Sequence, residues 1–168
     1  MEVPLLLKLK DVFLNDGSRS EFDYSLPLSE LDINGDYPFK SPVNVLATAV
    51  NRAGVVELNV KAVFDYTTRC DRCFVPITKP MELSFAHGLA TELIDEENDD
   101  YIETPDYTLE LDDVVISDIL LNLPSKMLCK DDCKGLCPKC GKNLNDGDCG
   151  CDNENIDSRL EILKQLID

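Results

Sequence analysis

The chain has 168 residues, enough for one compact domain that carries a small appended module. It has no run of about 18 apolar residues, so we expect no membrane-spanning helix. Its 33 acidic and 16 basic residues give a formal net charge of −17, which disfavours a surface that wraps nucleic acid and favours a basic partner.

The N-terminal residues are apolar only in short pieces. The stretch "VPLLLKLKDVFL" is predicted to pair at an edge of a sheet, and charges interrupt it. Because no small-residue cleavage site follows, we expect no secretory signal and predict a cytoplasmic protein. The next residues, 15–41, contain Gly17, Pro27, Gly35 and Pro38, and this spacing predicts a loop with little regular structure.

Residues 43–89 are rich in Val, Thr, Phe and Tyr, which is typical of β-strands. Two strands flank the turn "NRAG" at 51–54, and a third is predicted from Ile77 to His87. In the second strand the apolar residues alternate with polar ones, which predicts one buried face. The predicted inward residues are Val56, Leu58, Val60, Ala62 and Phe64. The pattern indicates an antiparallel meander.

Residues 92–113 contain eleven Asp or Glu and no Lys or Arg, and this segment is predicted to be an acidic loop. A helix is predicted over about 111–123, where apolar residues recur at three- and four-residue spacing before Pro124. A second helix is predicted at the C-terminus, where one apolar stripe contains Leu160, Leu163, Leu166 and Ile167.

These elements predict an α+β fold. We expect an antiparallel β-sheet or meander with two covering helices, followed by a C-terminal cysteine-rich zinc module. The predicted division is a mainly β domain at 1–125, which contains the acidic loop and the first helix. The zinc module with the C-terminal helix follows at 126–168.

The eight cysteines form four close pairs, and clustered thiols in a reducing compartment are typical of metal sites. We predict site 1 from two pairs, because "CPKCG" is a metal-binding turn and only eight residues separate Cys140 from Cys149 of "CGC". The residues of site 1 are Cys137, Cys140, Cys149 and Cys151.

The two pairs that remain then form site 2. Its residues are Cys70, Cys73, Cys129 and Cys133. Four pairs can be divided between two sites in three ways, and only the short loop of site 1 favours this division. Interleaved sites, or one site with spare thiols, are the alternatives.

A closed set of four thiolates leaves no open coordination position, so we predict structural zinc, with two ions for the two sites. Iron is the alternative, because "CPKCG" also resembles the metal-binding turn of rubredoxins and the same ligands suit both metals. A redox role for Cys70 and Cys73 is disfavoured, because this pair follows a strand and does not begin a helix. The sequence lacks hydrolase and nucleotide-binding motifs, and no enzymatic activity or catalytic residue is predicted.

Residues 126–142 contain five Lys and two Asp, and so depart from the acidic character of the chain. These lysines can neutralise metal-bound thiolates nearby. Alternatively, Lys134, Lys139 and Lys142 are candidate RNA contacts, because lysines bind phosphate backbones.

The cysteine-bearing half resembles a known family. The segments "CDRC" at 70–73, "DDVVISDILLNLPSKMLCKDDCKGLCPKCGKNLNDGDCGC" and "DSRLEILKQL" resemble the YceD family of large ribosomal RNA subunit accumulation proteins over about 66–166. The resemblance implies a bacterial cytosolic factor needed for accumulation of 23S rRNA, without enzymatic activity. Some members keep the first C-x-x-C but lack the later cluster, which implies that site 1 stabilises the C-terminal region.

Three functional hypotheses follow. The first is a non-enzymatic factor in large ribosomal subunit biogenesis that binds a basic ribosomal protein or assembly factor, with the acidic loop as the attracting surface. The second is a rubredoxin-like iron electron-transfer protein. The third is a zinc-stabilised protein-binding module of another pathway.

Overall fold

The protein is described here from a computed structural model, which covers residues 5–92 and 101–151. The predicted C-terminal helix and the segment 95–100 lie outside these residues. The chain divides into two compact units. Unit 1 comprises Met1–Thr68 and Thr78–Ser125, and unit 2 comprises Arg69–Ile77 and Lys126–Asp168. Unit 2 therefore contains the turn Arg69–Ile77 in addition to the predicted module.

A five-stranded sheet is the main element, with the strand order β2-β3-β4-β5-β6. Its strands are β2 (Arg19–Leu26), β3 (Val43–Arg52), β4 (Val55–Arg69), β5 (Pro76–Ala90) and β6 (Tyr101–Glu103). Neighbouring strands from β2 to β4 pair antiparallel, whereas β6 pairs with β5 in parallel. The fold is α+β with a mostly antiparallel sheet, as predicted.

The predicted turn at 51–54 connects β3 and β4. Arg52 pairs with Val55, which leaves Ala53 and Gly54 as a two-residue turn with φ values of 53° and 86°. Positive φ at both positions matches the twist of the two flanking strands. Asn51 is 1% exposed, and its Nδ2 donates to the carbonyl oxygens of Val12 and Phe13 at 2.8 and 3.1 Å. The turn is thereby joined to the N-terminal segment.

The core of unit 1 lies on one face of β3 and β4. The five predicted inward residues of β4 are at most 4% exposed, which confirms their orientation. Phe39 packs between Phe64 and Tyr66, with ring centroids 5.4 and 5.8 Å apart.

Helix α2 (Leu111–Asn122) agrees closely with the helix predicted over 111–123, and its Leu111, Val115 and Ile119 are buried. It ends before Pro124, because a residue that precedes proline disfavours the helical conformation. None of the described helices has the length and apolar composition needed to cross a membrane.

Three predictions for unit 1 are wrong. Residues 15–41 contain β2, which pairs with β3 over eight residues, and are not simply a loop. The N-terminal stretch does not join the edge of the main sheet. Instead, β1 (Leu6–Lys8) pairs with β7 (Thr108–Glu110) in a second sheet. Helix α1 (Lys10–Leu14) follows β1 in the chain.

The third difference concerns the acidic segment 92–113. Its described part contains β6, a 3-10 turn at Pro105–Tyr107, β7 and the first residues of α2. Thr104 explains part of this order, because it is fully buried and its backbone N–H and hydroxyl both donate to the carbonyl oxygen of Ala90. The described part of this segment therefore forms paired strands despite its many Asp and Glu residues.

Candidate metal centres

The eight cysteines lie in two groups of four. In each group the sulfur atoms are all within 4.8 Å of one another, and the groups are those predicted as site 1 and site 2. Cys70 and Cys133 sulfurs are 3.8 Å apart, and those of Cys73 and Cys129 are 3.6 Å apart. Four sulfurs at about 2.3 Å from one zinc ion in a tetrahedron would lie about 3.8 Å from one another. Both groups can therefore hold a metal ion.

Site 2 joins two segments that are far apart in sequence. Within the turn Arg69–Ile77, the Cys70 N–H donates to the Val75 carbonyl and the Phe74 N–H donates to the Cys70 carbonyl, both at 2.9 Å. Asp71 connects this turn to the second segment, because its N–H donates to the Met127 carbonyl and its carboxylate accepts the Met127 N–H. These bonds orient the first pair of thiols toward the second pair.

Arg72 strengthens the same junction. Its guanidinium donates to the carbonyl oxygen of Cys133 at 2.7 Å, and its own carbonyl accepts the Leu136 N–H at 3.1 Å. The sulfur ligands lie in an apolar setting, because Cys70, Cys73 and Cys133 are 0–5% exposed and pack with Leu128 and Leu136. Only Cys129 of this site is exposed.

The thiols of site 2 differ in acidity. Burial opposes ionisation of Cys70, but N–H groups of Cys129, Arg72 and Cys73 donate to its sulfur and lower its pKa to about 6. Burial and the neighbouring thiols of Cys133, Cys73 and Cys70 raise the pKa of Cys129 to about 12. Thiolates this close repel one another, so a cation is needed for all four to ionise together.

Site 1 is built from one short segment. The Gly141 N–H donates to the Cys137 carbonyl at 2.9 Å, and Gly141 has a φ of 74°, a backbone conformation that favours glycine. The Cys137 N–H donates to the Lys142 carbonyl at 2.8 Å, and the Lys142 ammonium donates to the Asp148 carbonyl at the same distance. The loop 141–148 is thus held by one backbone hydrogen bond from Cys137 and one from the Lys142 side chain.

The thiols of site 1 also differ in pKa, for the same physical reasons. The N–H groups of Cys140 and Lys139 donate to the Cys137 sulfur and lower its pKa to about 6. The neighbouring Cys140 and Cys149 thiols, together with burial, raise the pKa of Cys151 to about 12. Site 1 is more open than site 2, because only Cys137 is buried and Cys140 is exposed.

Two polar residues near the sulfurs were not predicted from sequence. Arg72 is one, and Asn145 is the other, because its Nδ2 donates to the Cys133 sulfur at 3.3 Å. Asn145 lies in the 3-10 turn Leu144–Asp146, and no sequence motif marks it as a neighbour of site 2. His87, which had no predicted role, lies in unit 1 with its Nε2 2.7 Å from an oxygen of Asp118.

The three lysines predicted as RNA contacts are exposed. Lys142 already donates to the Asp148 carbonyl, and the backbone N–H of Lys134 donates to the side-chain oxygen of Asn145. RNA contact by Lys134, Lys139 and Lys142 stays a prediction.

The part of the chain that contains the cysteines matches a known protein family. The family model of the large ribosomal RNA subunit accumulation protein YceD matches residues 58–167, which is more than half of the chain and includes every cysteine. No solved structure matches the chain significantly.

Uncharacterised proteins of Mycobacterium bovis and Mycobacterium tuberculosis are 31% identical over 102 residues, covering 58% of this chain and 49% of each relative. An uncharacterised protein of Mycobacterium leprae is 27% identical over 81 residues, covering 46% of this chain and 37% of the relative. The chain matches half or less of the length of these relatives. On the family match, the chain belongs to the YceD family.

Proposed function

We propose that the protein is a non-enzymatic factor that supports accumulation of large-subunit ribosomal RNA, and that it acts by binding a basic ribosomal protein or assembly factor. The family match over residues 58–167 carries this proposal, because the family takes its description from that process. The proposal places the protein in the cytoplasm, where ribosomal subunits assemble.

Charge favours a protein partner over bare RNA. The described residues of unit 1 contain 17 Asp or Glu and 7 Lys or Arg, and such an excess attracts basic surfaces and repels phosphate backbones. In unit 2 the described residues contain 7 basic and 5 acidic side chains. Metal-bound thiolates more than cancel that small positive excess, so unit 2 is a weak general RNA-binding surface.

The exposed acids after β5 are the proposed attracting surface of unit 1. Glu103, Asp106 and Glu110 are exposed and lie in β6, the 3-10 turn and β7. Strand pairing holds the backbone of Glu103 and Glu110, and Asp106 lies in the short turn between their strands. A partner would therefore lose less ordering entropy on binding than with an unstructured acidic segment.

For unit 2 we propose two structural zinc ions. Four sulfurs around each ion fill a tetrahedron and leave no position for water or substrate, which supports a structural role. The backbone N–H groups that point at Cys70 and Cys137 would partly neutralise the thiolates in the metal-bound state.

The same sulfur geometry suits iron, and an iron-loaded protein would be a rubredoxin-like electron carrier. An absorption spectrum with metal analysis of the purified protein separates the two. Colourless protein with two zinc ions per chain supports the structural proposal, whereas a visible thiolate-to-iron absorption with bound iron supports electron transfer.

The partner is tested with the full metal-loaded chain against isolated basic large-subunit proteins and bare large-subunit RNA, at several salt concentrations. The first variant combines Glu103→Gln, Asp106→Asn and Glu110→Gln, and its matched control combines Lys134→Gln, Lys139→Gln and Lys142→Gln. We expect the acid variant to weaken binding to a basic protein and the lysine variant to leave it unchanged.

Tight, salt-sensitive RNA binding that the lysine variant abolishes would overturn the choice of a protein partner. Absence of binding to any ribosomal component, together with two bound zinc ions, would instead favour a zinc-stabilised binding module of another pathway.

A further inference from the structure

Asn145 belongs to the loop of one metal site and contacts a ligand of the other. The loop 141–148 connects the two halves of site 1, yet the Asn145 side chain donates to the sulfur of Cys133 in site 2 at 3.3 Å. The side-chain oxygen of Asn145 accepts the N–H of Lys134, the next residue, at 2.9 Å. One side chain therefore holds the Cys133 ligand by its sulfur and by the adjoining backbone.

The position of Asn145 depends on the shape of the loop. The Asn143 side-chain oxygen accepts both the backbone N–H and the Nδ2 of Asn145, at 3.0 and 2.8 Å. The Leu144 N–H donates to the Gly135 carbonyl at 2.9 Å. Cys140 and Cys149 flank this loop directly, so a metal ion in site 1 would fix both of its ends.

The two sites differ in access to solvent. Three ligands of site 2 are buried, whereas site 1 has one buried ligand, two half-buried ligands and the exposed Cys140. Water, chelators and competing ions therefore reach site 1 more readily, and we expect its occupancy to follow the free metal concentration more closely.

We propose that Asn145 couples the two sites, so that metal in site 1 fixes loop 141–148, holds Asn145 against the Cys133 sulfur and raises the metal affinity of site 2. This inference rests on the proposed metal binding. A hydrogen bond from a fixed donor stabilises a metal-bound thiolate, and loss of such an outer partner typically lowers metal affinity by about 10–100-fold. Because coupling is reciprocal, metal in site 2 raises the affinity of site 1 by the same factor.

The test is a double-mutant cycle on the full chain, with Co²⁺ as the probe, since Co²⁺ bound to thiolates absorbs visible light. The first variant, Cys149→Ser with Cys151→Ser, removes two ligands of site 1 and leaves the ligands of site 2 intact. The second variant is Asn145→Ala, and the third combines all three changes. In each, the Co²⁺ affinity of site 2 is measured by competition with a chelator.

We expect each of the first two variants to lower the affinity of site 2 about tenfold or more, at the lower end of outer-partner effects. The combined variant should bind Co²⁺ at site 2 no more weakly than whichever of the first two variants has the lower affinity, because both changes remove the same contact. Asn145→Asp keeps the oxygen that accepts from Lys134 and loses the donor to sulfur, so it should lose at least as much affinity as Asn145→Ala.

Asn59→Ala is the matched control, because Asn59 is exposed on β4 in unit 1 and its side-chain amide donates to the neighbouring Glu57 carboxylate. It should leave the affinity of site 2 unchanged. Unchanged affinity after the site 1 substitutions, or losses that multiply in the combined variant, would overturn the coupling while metal binding stands. Failure of the unsubstituted chain to bind Co²⁺ or zinc would overturn the metal proposal itself.

Discussion

Gly135 lies directly against the carbonyl oxygen of Arg72. A Cβ atom at Gly135 would be 3.0 Å from that oxygen, and Gly135 has a φ of 77°. The contact joins the turn Arg69–Ile77 to the segment that follows Cys133, and it therefore sets the distance between the two halves of site 2.

We expect Gly135→Ala to destabilise the metal-loaded chain more than Gly141→Ala. Both glycines have a similar positive φ, which costs an alanine about 1–2 kcal/mol, but a Cβ at Gly141 meets nothing within 4 Å. The clash with Arg72 should add about 1–3 kcal/mol. Thermal unfolding of the two variants measures the difference, and equal losses would contradict a tight junction.

Chelator should remove metal in two phases, with site 1 emptied first. Its ligands are more exposed than those of site 2, so a chelator reaches them without opening a buried cluster. Zinc release is followed with a colorimetric indicator after addition of excess chelator. Cys140→Ser should abolish the fast phase and Cys70→Ser the slow phase, and the opposite assignment would refute the link between exposure and release.

Replacement of Asn51 by alanine should destabilise unit 1 by about 2–3 kcal/mol. The substitution removes the hydrogen bonds from the Asn51 amide to the carbonyls of Val12 and Phe13 and the one from the Gly54 N–H to the Asn51 side-chain oxygen, and a net loss of about 1 kcal/mol per hydrogen bond is typical. Urea denaturation measures the loss. Asn59→Ala, on the exposed face of β4, is the control and should change stability by less than about 0.5 kcal/mol.

Tyr24 should make the stability of unit 1 fall at high pH. Burial, then the hydrogen bond from its hydroxyl to Asp112 at 2.9 Å, then the negative charge of Asp112 raise the pKa of Tyr24 above its ordinary value. Above about pH 10 the phenol of the unfolded chain ionises while that of the folded chain stays neutral, so the unfolded state gains stability.

The measurement is urea denaturation of the protein and of Tyr24→Phe at pH 9 and pH 11. The unsubstituted protein should lose more stability between these pH values than Tyr24→Phe, which has no phenol at this position to ionise. Tyr37→Phe is the control, because Tyr37 is 47% exposed, and it should keep the full loss. An equal loss in all three proteins would rule out the proposed linkage.

Local patterns in the sequence determined the hairpin of β3 and β4, helix α2 and the composition of site 1. Each of these depends on residues close together in the chain. Alternation marks the buried face of β4, Pro124 marks the end of α2, and eight residues separate the two thiol pairs of site 1. A short connection between two residues limits the ways in which they can be arranged, so their spacing in the sequence was enough to predict these contacts.

The tertiary structure decided the features that depend on distant partners. Strand β2 has glycine and proline at its flanks and becomes a strand because β3 pairs with all eight of its residues. The sequence allowed several ways of dividing the thiols between two sites. The structure selects site 2 because the turn Arg69–Ile77 lies next to the segment that follows Lys126. Asn145 reaches Cys133 across twelve positions without any motif. Such contacts bring distant segments together, which costs loop-closure entropy. Tertiary packing offsets this cost, and local sequence patterns do not reveal that packing.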